Sequence, residues 1–264
     1  MSNKVADPDY EAGVAYWDSI EPSNNGVLGG HGLANSAVPR LDALSSRMFL
    51  LSCVPGLSSI PPPADITDAP ARRTAPFKAL DVGAGIGRIT KDVLLTFCQH
   101  VDILESSTHF LDHAVKTLSV PEQTRSLRFF HNGMQFFNPE SPQTLHASHA
   151  LDPNLASRTY DLVWLQWAAG HVNDDQLVAF LQRCRYALTK PSPKDPEGGL
   201  IVVKENNERQ TIFDDEDSSI TRTDEDFKQC FERAGLKVIK EEVQKGFPQE
   251  LIQVRSYALR PIEQ

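Results

Sequence analysis

Asp81, Gly83, Gly85 and Gly87 alternate through the stretch Asp-Val-Gly-Ala-Gly-Ile-Gly-Arg, and Glu105 closes the next apolar run, Val101-Asp102-Ile103-Leu104-Glu105. Glycines at such a turn let the backbone approach a ligand closely, because no Cβ stands in the way. A helix that starts at once adds free N–H groups at its first turn. An acid at the end of the following strand is placed to hold a pair of ribose hydroxyls. This chemistry is that of a cradle for a nucleoside-bearing cofactor. The spacing departs from the dinucleotide fingerprint Gly-x-Gly-x-x-Gly, and Arg88 stands where a pyrophosphate would want room, so a nicotinamide dehydrogenase fits poorly. An ordinary glycine-rich βα turn would explain the glycines alone; strand, helix and acid together favour the nucleoside site.

Three further clusters follow apolar runs: Gln166-Trp167-Ala168-Ala169-Gly170-His171, Lys204-Glu205-Asn206-Asn207, and Phe213-Asp214-Asp215-Glu216-Asp217-Ser218-Ser219. Singly, each has a structural explanation: a hydrogen-bonded histidine, a turn-shaping asparagine, a solvated acidic loop. All three fall after strands of one sheet, and ligands of open α/β sheets gather outside the carboxyl ends of the strands.

The elements that must position these residues alternate from Phe77 onward. Strands are predicted near 78–82, 101–105, 127–131, 160–165 and 199–205, and helices near 86–97, 109–118, 174–188 and 224–234. Such alternation implies a mostly parallel sheet covered on both faces. Asn173 with Gln176, and Thr223 with Asp226, have the spacing of helix N-caps. Two strand-like runs, Leu236 to Glu242 and Val254 to Leu259, end the chain. Residues 1–55 read as an N-terminal helical extension and lid. Tyr10, Val14 and Trp17 share a helical face there, Gly26 to Gly32 reads as a flexible loop, and a second helix is predicted from Leu41 to Leu51. Residues 56–76, with Pro61, Pro62 and Pro63 in a row, read as a linker, 77–264 as the main domain, and 138–159 as a surface insertion.

At 264 residues the chain suits one α/β domain with extensions. A net charge of −9 argues against a nucleic-acid partner and suits a cationic peptide or amine. Cys53, Cys98, Cys184 and Cys230 are scattered and read as small buried residues rather than disulfides or zinc ligands. His146 and His149 have no cysteine or carboxylate partners of metal-site spacing, and no metal is expected. No apolar run approaches the ~18 residues of a membrane span, and the polar, acidic N-terminus is unlike a leader. A cytoplasmic protein, with the nucleus as a second location, is expected.

The stretch Asp81 to Thr90 followed by Glu105 resembles motif I of the class I S-adenosylmethionine-dependent methyltransferases. More particular are Tyr16-Trp17, Val27-Leu28-Gly29-Gly30-His31-Gly32, Gly133-Met134-Gln135, Trp164-Leu165-Gln166-Trp167, Gly170-His171, Lys204-Glu205-Asn206 and Asp214 to Ser219. Their order resembles that of the eukaryotic alpha-N-terminal protein methyltransferases, in a fungal-like member longer in the linker and the 138–159 insertion. The resemblance implies a Rossmann-like α/β fold with a mostly parallel seven-stranded sheet, helices on both faces and an N-terminal helical extension. It implies methyl transfer from S-adenosyl-L-methionine to the α-amino group of proteins beginning X-Pro-Lys after removal of the initiator methionine, ribosomal proteins among them. By the same resemblance Gly83, Gly85 and Arg88 would hold the methionine end of the cofactor, Glu105 the ribose, and Met134 and Gln135 the adenine, with Gln166 closing the site. Trp17, Leu28, Trp167, Asn206, Asp214, Asp217 and Ser219 would line the peptide channel, with His171, Asn206 and Asp217 as the catalytic group. Three positions depart from the family pattern: Glu105 replaces an aspartate, Ile252 a channel tyrosine, and His31 an aromatic of the lid. A small-amine methyltransferase and a non-catalytic cofactor-binding protein remain as alternatives.

Overall fold

The computed structural model describes residues 5–60, 73, 75–118, 125–141, 159–193 and 195–262. Seven strands form the main sheet: β1 (Lys78–Val82), β2 (His100–Glu105), β3 (Ser126–His131), β4 (Leu162–Gln166), β5 (Leu200–Asn207), β8 (Leu236–Val243) and β9 (Gln253–Pro261). Their order is β3-β2-β1-β4-β5-β9-β8, and a separate two-stranded hairpin pairs β6 (Ile212–Asp214) with β7 (Ser219–Thr221). The first five strands run parallel, and β9 is antiparallel to both β5 and β8. Strand order therefore reverses between β1 and β4, which opens a crevice above their carboxyl ends. The glycine turn and the cluster Gln166 to His171 are the two segments that leave those ends.

The central strands are apolar on both faces, as a doubly covered parallel sheet requires. Leu80, Val82, Val163, Leu165, Ile201 and Val203 join the core on one side, with Leu177, Phe180 and Leu181 of α6 (Asp174–Ala187) and Phe227 and Phe231 of α7 (Asp224–Arg233). Ala79, Leu162, Trp164, Leu200 and Val202 face the other side, against Phe49 and Leu50 of α3 (Val38–Cys53) and Leu111 of α5 (Thr108–Thr117).

The helix caps follow the sequence signals. Asn173 accepts the Gln176 N–H at 3.0 Å and gives its own N–H to the Gln176 side chain at 3.0 Å, completing a capping box. Thr223 accepts the Asp226 N–H at 3.0 Å. Three expectations need correction. The helix predicted at 86–97 is present over residues 88–97, with a π-helical turn, Thr90–Leu94, inside it and the short α4, Leu95–Phe97, at its end. The Gly26–Gly32 loop begins inside a short helix, α2 (Asn24–Val27), because Ser23 caps the Gly26 N–H at 3.1 Å. Its outer glycines are packed, a Cβ on Gly32 lying 2.0 Å from the Asn24 carbonyl oxygen, whereas Gly29 and Gly30 stand in open space with φ of 56° and 88°. The acidic run 214–219 is the tip of the β6–β7 hairpin rather than a plain loop. Most of the linker (61–72 and 74) and of the insertion (142–158) lies outside the described residues. Among the described residues, no helix is long and apolar enough to cross a membrane. All four cysteines are buried and free.

Candidate active site

The crevice holds two adjoining cavities. The first encloses about 1010 Å³ with its open mouth, and Gly83, Gly85, Arg88, Glu105, Met134, Gln135 and Gln166 all line it. Gly83 needs its missing side chain twice over. Its φ is 62°, and a Cβ there would stand 2.3 Å from the Cβ of Ala168 in the loop after β4. Glu105 sits at the carboxyl end of β2, where its two oxygens accept the N–H groups of Gly85 at 2.7 Å and Ser107 at 2.8 Å. Burial pushes this carboxyl up, and those N–H groups oppose the shift. The cavity thus offers an acid beside a glycine turn, a guanidinium at Arg88, and an apolar and amide wall at Leu104, Met134 and Gln135. That donor set fits S-adenosylmethionine: a cation for a carboxylate, an acid for vicinal hydroxyls, and a flat lined slot for a base.

Arg88 is anchored from behind. Its guanidinium donates to Asp42 of α3 at 2.6 Å, and Lys204 of β5 reaches the other oxygen of the same carboxylate at 2.6 Å. Gln166 donates to Asp42 at 3.0 Å and accepts from the Trp164 indole at 3.0 Å. Arg88 and Gln166 therefore enter the cavity as held side chains, and only part of the Arg88 fork is left for a ligand. The sequence reading found Arg88 and Gln166 but not the aspartate that fixes both.

The second cavity encloses about 1030 Å³ with its mouth. Trp17, Leu28, Trp167, His171, Asn206, Asp217 and Ser219 line it, and Trp17, Trp167 and His171 also border the first cavity. His31 and Ile252, two of the departures from the family pattern, stand in this wall too. Asp214 does not. It lies exposed on β6, cross-strand from Ser219, and its carboxylate accepts the Glu216 N–H at 2.9 Å. The expectation that Asp214 lines the channel is corrected accordingly: the hairpin turns it toward the rim.

Two residues at this junction, Trp167 and Ser218, hold φ values of 53° without being glycine. Such backbone costs of order 1–3 kcal/mol and persists where its surroundings over-determine it. Glu205 supplies that constraint for the first, accepting the N–H groups of Ala168 at 2.7 Å and Ala169 at 2.8 Å. Burial raises the Glu205 carboxyl to about 7. The Ser218 hydroxyl accepts the Asp9 N–H at 2.8 Å, which ties the hairpin to the start of α1 (Tyr10–Ser19). Gly13 is the buried residue of that helix and faces His171 and Asp217.

His171 and Asp217 are close to each other and under-satisfied. Nδ1 of His171 and Oδ1 of Asp217 are buried with no hydrogen-bond partner among the described residues. Burial lowers the His171 pKa, while the Asp217 carboxylate and the Ser218 backbone pull it upward. Unpaired buried polar atoms cost free energy, so a ligand that meets them gains it back. Among the described residues, no group of His, Cys, Asp or Glu could hold a metal ion. Sequence reasoning missed Asp42, Gly13 and the holding role of Glu205. Asp42 carried one signal, a lone carboxylate beside Leu41 and Ala43 on the predicted helix.

Strand order, glycine turn and the acid at the end of β2 define a class I S-adenosylmethionine-dependent methyltransferase. A family model described as AdoMet dependent proline di-methyltransferase matches residues 6–260, and the chain belongs to that family. It is 37% identical to alpha N-terminal protein methyltransferase 1 of Arabidopsis thaliana, over 95% of this chain and 79% of that one. It is 36% identical to N-terminal Xaa-Pro-Lys N-methyltransferase 1 of Danio rerio, over 95% of each chain. A solved SAM-dependent methyltransferase of Leishmania major superposes with a TM-score of 0.70 at 31% identity, over 95% of this chain and 82% of that one. S-adenosylmethionine is the cofactor, and the seven-stranded Rossmann-like fold is the one the resemblance implied.

Proposed function

We propose that this enzyme methylates the α-amino group of proteins whose processed N-termini begin Xaa-Pro-Lys, ribosomal proteins among them, in the cytoplasm and nucleus. The observation that carries the reading is the pair of buried, unpartnered atoms, His171 Nδ1 and Asp217 Oδ1, in a peptide-sized cavity that opens onto the cofactor cavity.

S-adenosylmethionine supplies an electrophilic methyl group on a sulfonium. In this reading the chain holds it through Gly83, Gly85 and Arg88 at the amino-acid end, Glu105 at the ribose, Met134 and Gln135 at the base, and Gln166 between. The protein's remaining tasks are to orient an amine and to remove its proton. An α-ammonium has pKa of about 7.7–8.0 against about 10.4 for a lysine side chain, so it gives up its proton more readily. The Asn206 side-chain carbonyl is a neutral acceptor that can orient the amine. Asp217, with its free oxygen, is placed to receive the proton, and His171 stands beside it at the amine. The indoles of Trp17 and Trp167 form a wall against which a proline ring can pack, with Leu28 and Ser219 beside them. Asp214 and its acidic neighbours give the rim a negative field for the lysine that follows.

Incubation with a Ser-Pro-Lys peptide and with small primary amines in parallel tests the substrate class. The peptide should be methylated and the amines should not. Methylation of the amines alone would make the protein a small-amine methyltransferase, and cofactor binding without turnover on either would make it a binding protein.

A further inference from the structure

Trp17 of α1 gives its indole N–H to Nε2 of His171 at 3.0 Å, with the two rings 87° apart. An indole N–H only donates, so Nε2 must carry a lone pair. In a neutral imidazole the proton then sits on Nδ1. Protonating the ring would require Trp17 to release Nε2, and the resulting cation would face an incoming α-ammonium inside a buried site.

We propose that Trp17 is a positioning residue that holds His171 neutral as the Nδ1–H tautomer, so that the amine proton passes to Asp217. The inference rests on the reading of this junction as the amine site. The step is a simple proton transfer: an N–H bond of the ammonium breaks, the proton joins a carboxylate oxygen of Asp217, and the nitrogen keeps the electron pair. His171 then serves as a neutral wall of the amine pocket rather than as the base.

The charged and titratable groups around the ring come from several elements. Asp217 belongs to the β6–β7 turn, and Tyr16 of α1 lies within its field. Glu205 of β5 holds the N–H groups of Ala168 and Ala169 just before the ring. Arg222 donates to the carbonyls of Ala169 at 2.7 Å and Val172 at 2.6 Å on either side of it. Burial and the Trp17 bond oppose a charged ring, and Asp217 and the Ser218 backbone favour one. On the α1 side Gly13 lies over Nδ1, with room for a Cβ in ordinary contact at 3.6 Å, and the nitrogen is buried.

Long-range proton–nitrogen NMR of the imidazoles tests this on the intact protein, with His171→Gln identifying the His171 signals by difference. The wild type should show His171 as the neutral Nδ1–H tautomer across the neutral pH range. Trp17→Phe keeps a ring but removes the N–H; it should move the population toward Nε2–H and raise the apparent His171 pKa by roughly half a unit or more. The acid limb of its kcat profile should move up by the same amount. A wild-type ring that is Nε2–H or charged at neutral pH overturns the proposal, and so does a Phe variant whose tautomer and pKa match the wild type. If the Phe variant does not fold, the wild-type tautomer alone decides. None of these spectra needs a peptide, so a protein that shows the expected tautomer yet leaves N-termini unmethylated would overturn the proposed function and leave the Trp17–His171 relationship standing.

Discussion

Arg88 and Asp42 meet at 2.6 Å with the carboxylate wholly buried, and Lys204 closes on the same carboxylate at 2.6 Å. One anion between two cations ties the helix after the glycine turn and strand β5 to α3 of the N-terminal extension. The extension is thereby part of the cofactor site's foundation as well as its cover.

Asp42→Asn should therefore destabilise the fold by about 3–5 kcal/mol, because it keeps size but leaves two buried cations without their anion. Burial alone would raise the Asp42 pKa, but Arg88 and Lys204 more than offset it and hold the carboxyl below its ordinary range. A folded value below the unfolded one gives stability that is present above the unfolded pKa and is lost as pH falls through the folded pKa. Denaturant unfolding across the acid range should show a flatter acid limb in the variant. A loss under about 1 kcal/mol with an unchanged limb would mean the network contributes little.

Gly83→Ala should weaken cofactor binding markedly. The added Cβ would fall 2.3 Å from Ala168, and the positive φ is strained for any other residue. Backbone must move where the cofactor is held closest. Calorimetry with S-adenosylhomocysteine should show at least a tenfold loss, on the order of 1.4 kcal/mol. Wild-type affinity in this variant would contradict the placement of the cofactor against the turn.

Glu205→Gln tests the constraint behind Trp167. The folded carboxyl lies at about 7, raised from 4.5. Its stabilising effect is complete below the unfolded value and is lost as pH rises through the folded one. Relative to the wild type, the Gln variant should gain stability between about pH 5 and 8, by about 2–4 kcal/mol, since its side-chain oxygen can still accept both N–H groups. Thermal unfolding of both proteins at the two pH values measures this. A constant difference would show that Glu205 does not titrate in that window.

Much of this was legible in the chain, and the exceptions have different causes. Short continuous apolar runs located the strands because both faces of the sheet are buried, and period-3.6 patterns located most helices. Each cofactor-set residue and most of the channel set lie at strand ends or next to glycines, where sequence marks them. Asp42 was not legible because its partners come from β4, β5 and the helix after β1, all distant in sequence. Asp214 was misplaced for the opposite reason. An acidic run does not mark which of its carboxylates is covered: Asp217 sits half-buried in the turn, whereas Asp214, paired with Ser219, stays exposed. The π-helical turn at Thr90–Leu94 has the same apolar spacing as the α-helix predicted there.

Asp217 and Asp214 should differ sharply despite lying on one hairpin. Asp217→Asn removes the carboxylate's charge and its capacity to take a proton and should lower kcat by ~10²–10⁴-fold with little change in cofactor affinity. Asp214→Asn removes an exposed rim charge and should raise peptide KM by an amount equivalent to ~0.2–1 kcal/mol, fading with added salt. Steady-state kinetics on a Ser-Pro-Lys peptide separates them. Equal effects on kcat would dissolve the distinction between the channel and its rim.

The most direct measurement is fragment-ion mass spectrometry of two peptides incubated with enzyme and S-adenosylmethionine, one Ser-Pro-Lys with a free α-amine and one with that amine acetylated. Both keep the lysine side chain free. Methyl groups on the first nitrogen of the free peptide, and none on the acetylated one, is the expected result. Methylation of the acetylated peptide would place the reactive nitrogen on a side chain and contradict the assignment of the junction between Trp17, His171 and Asp217 as an α-amine site.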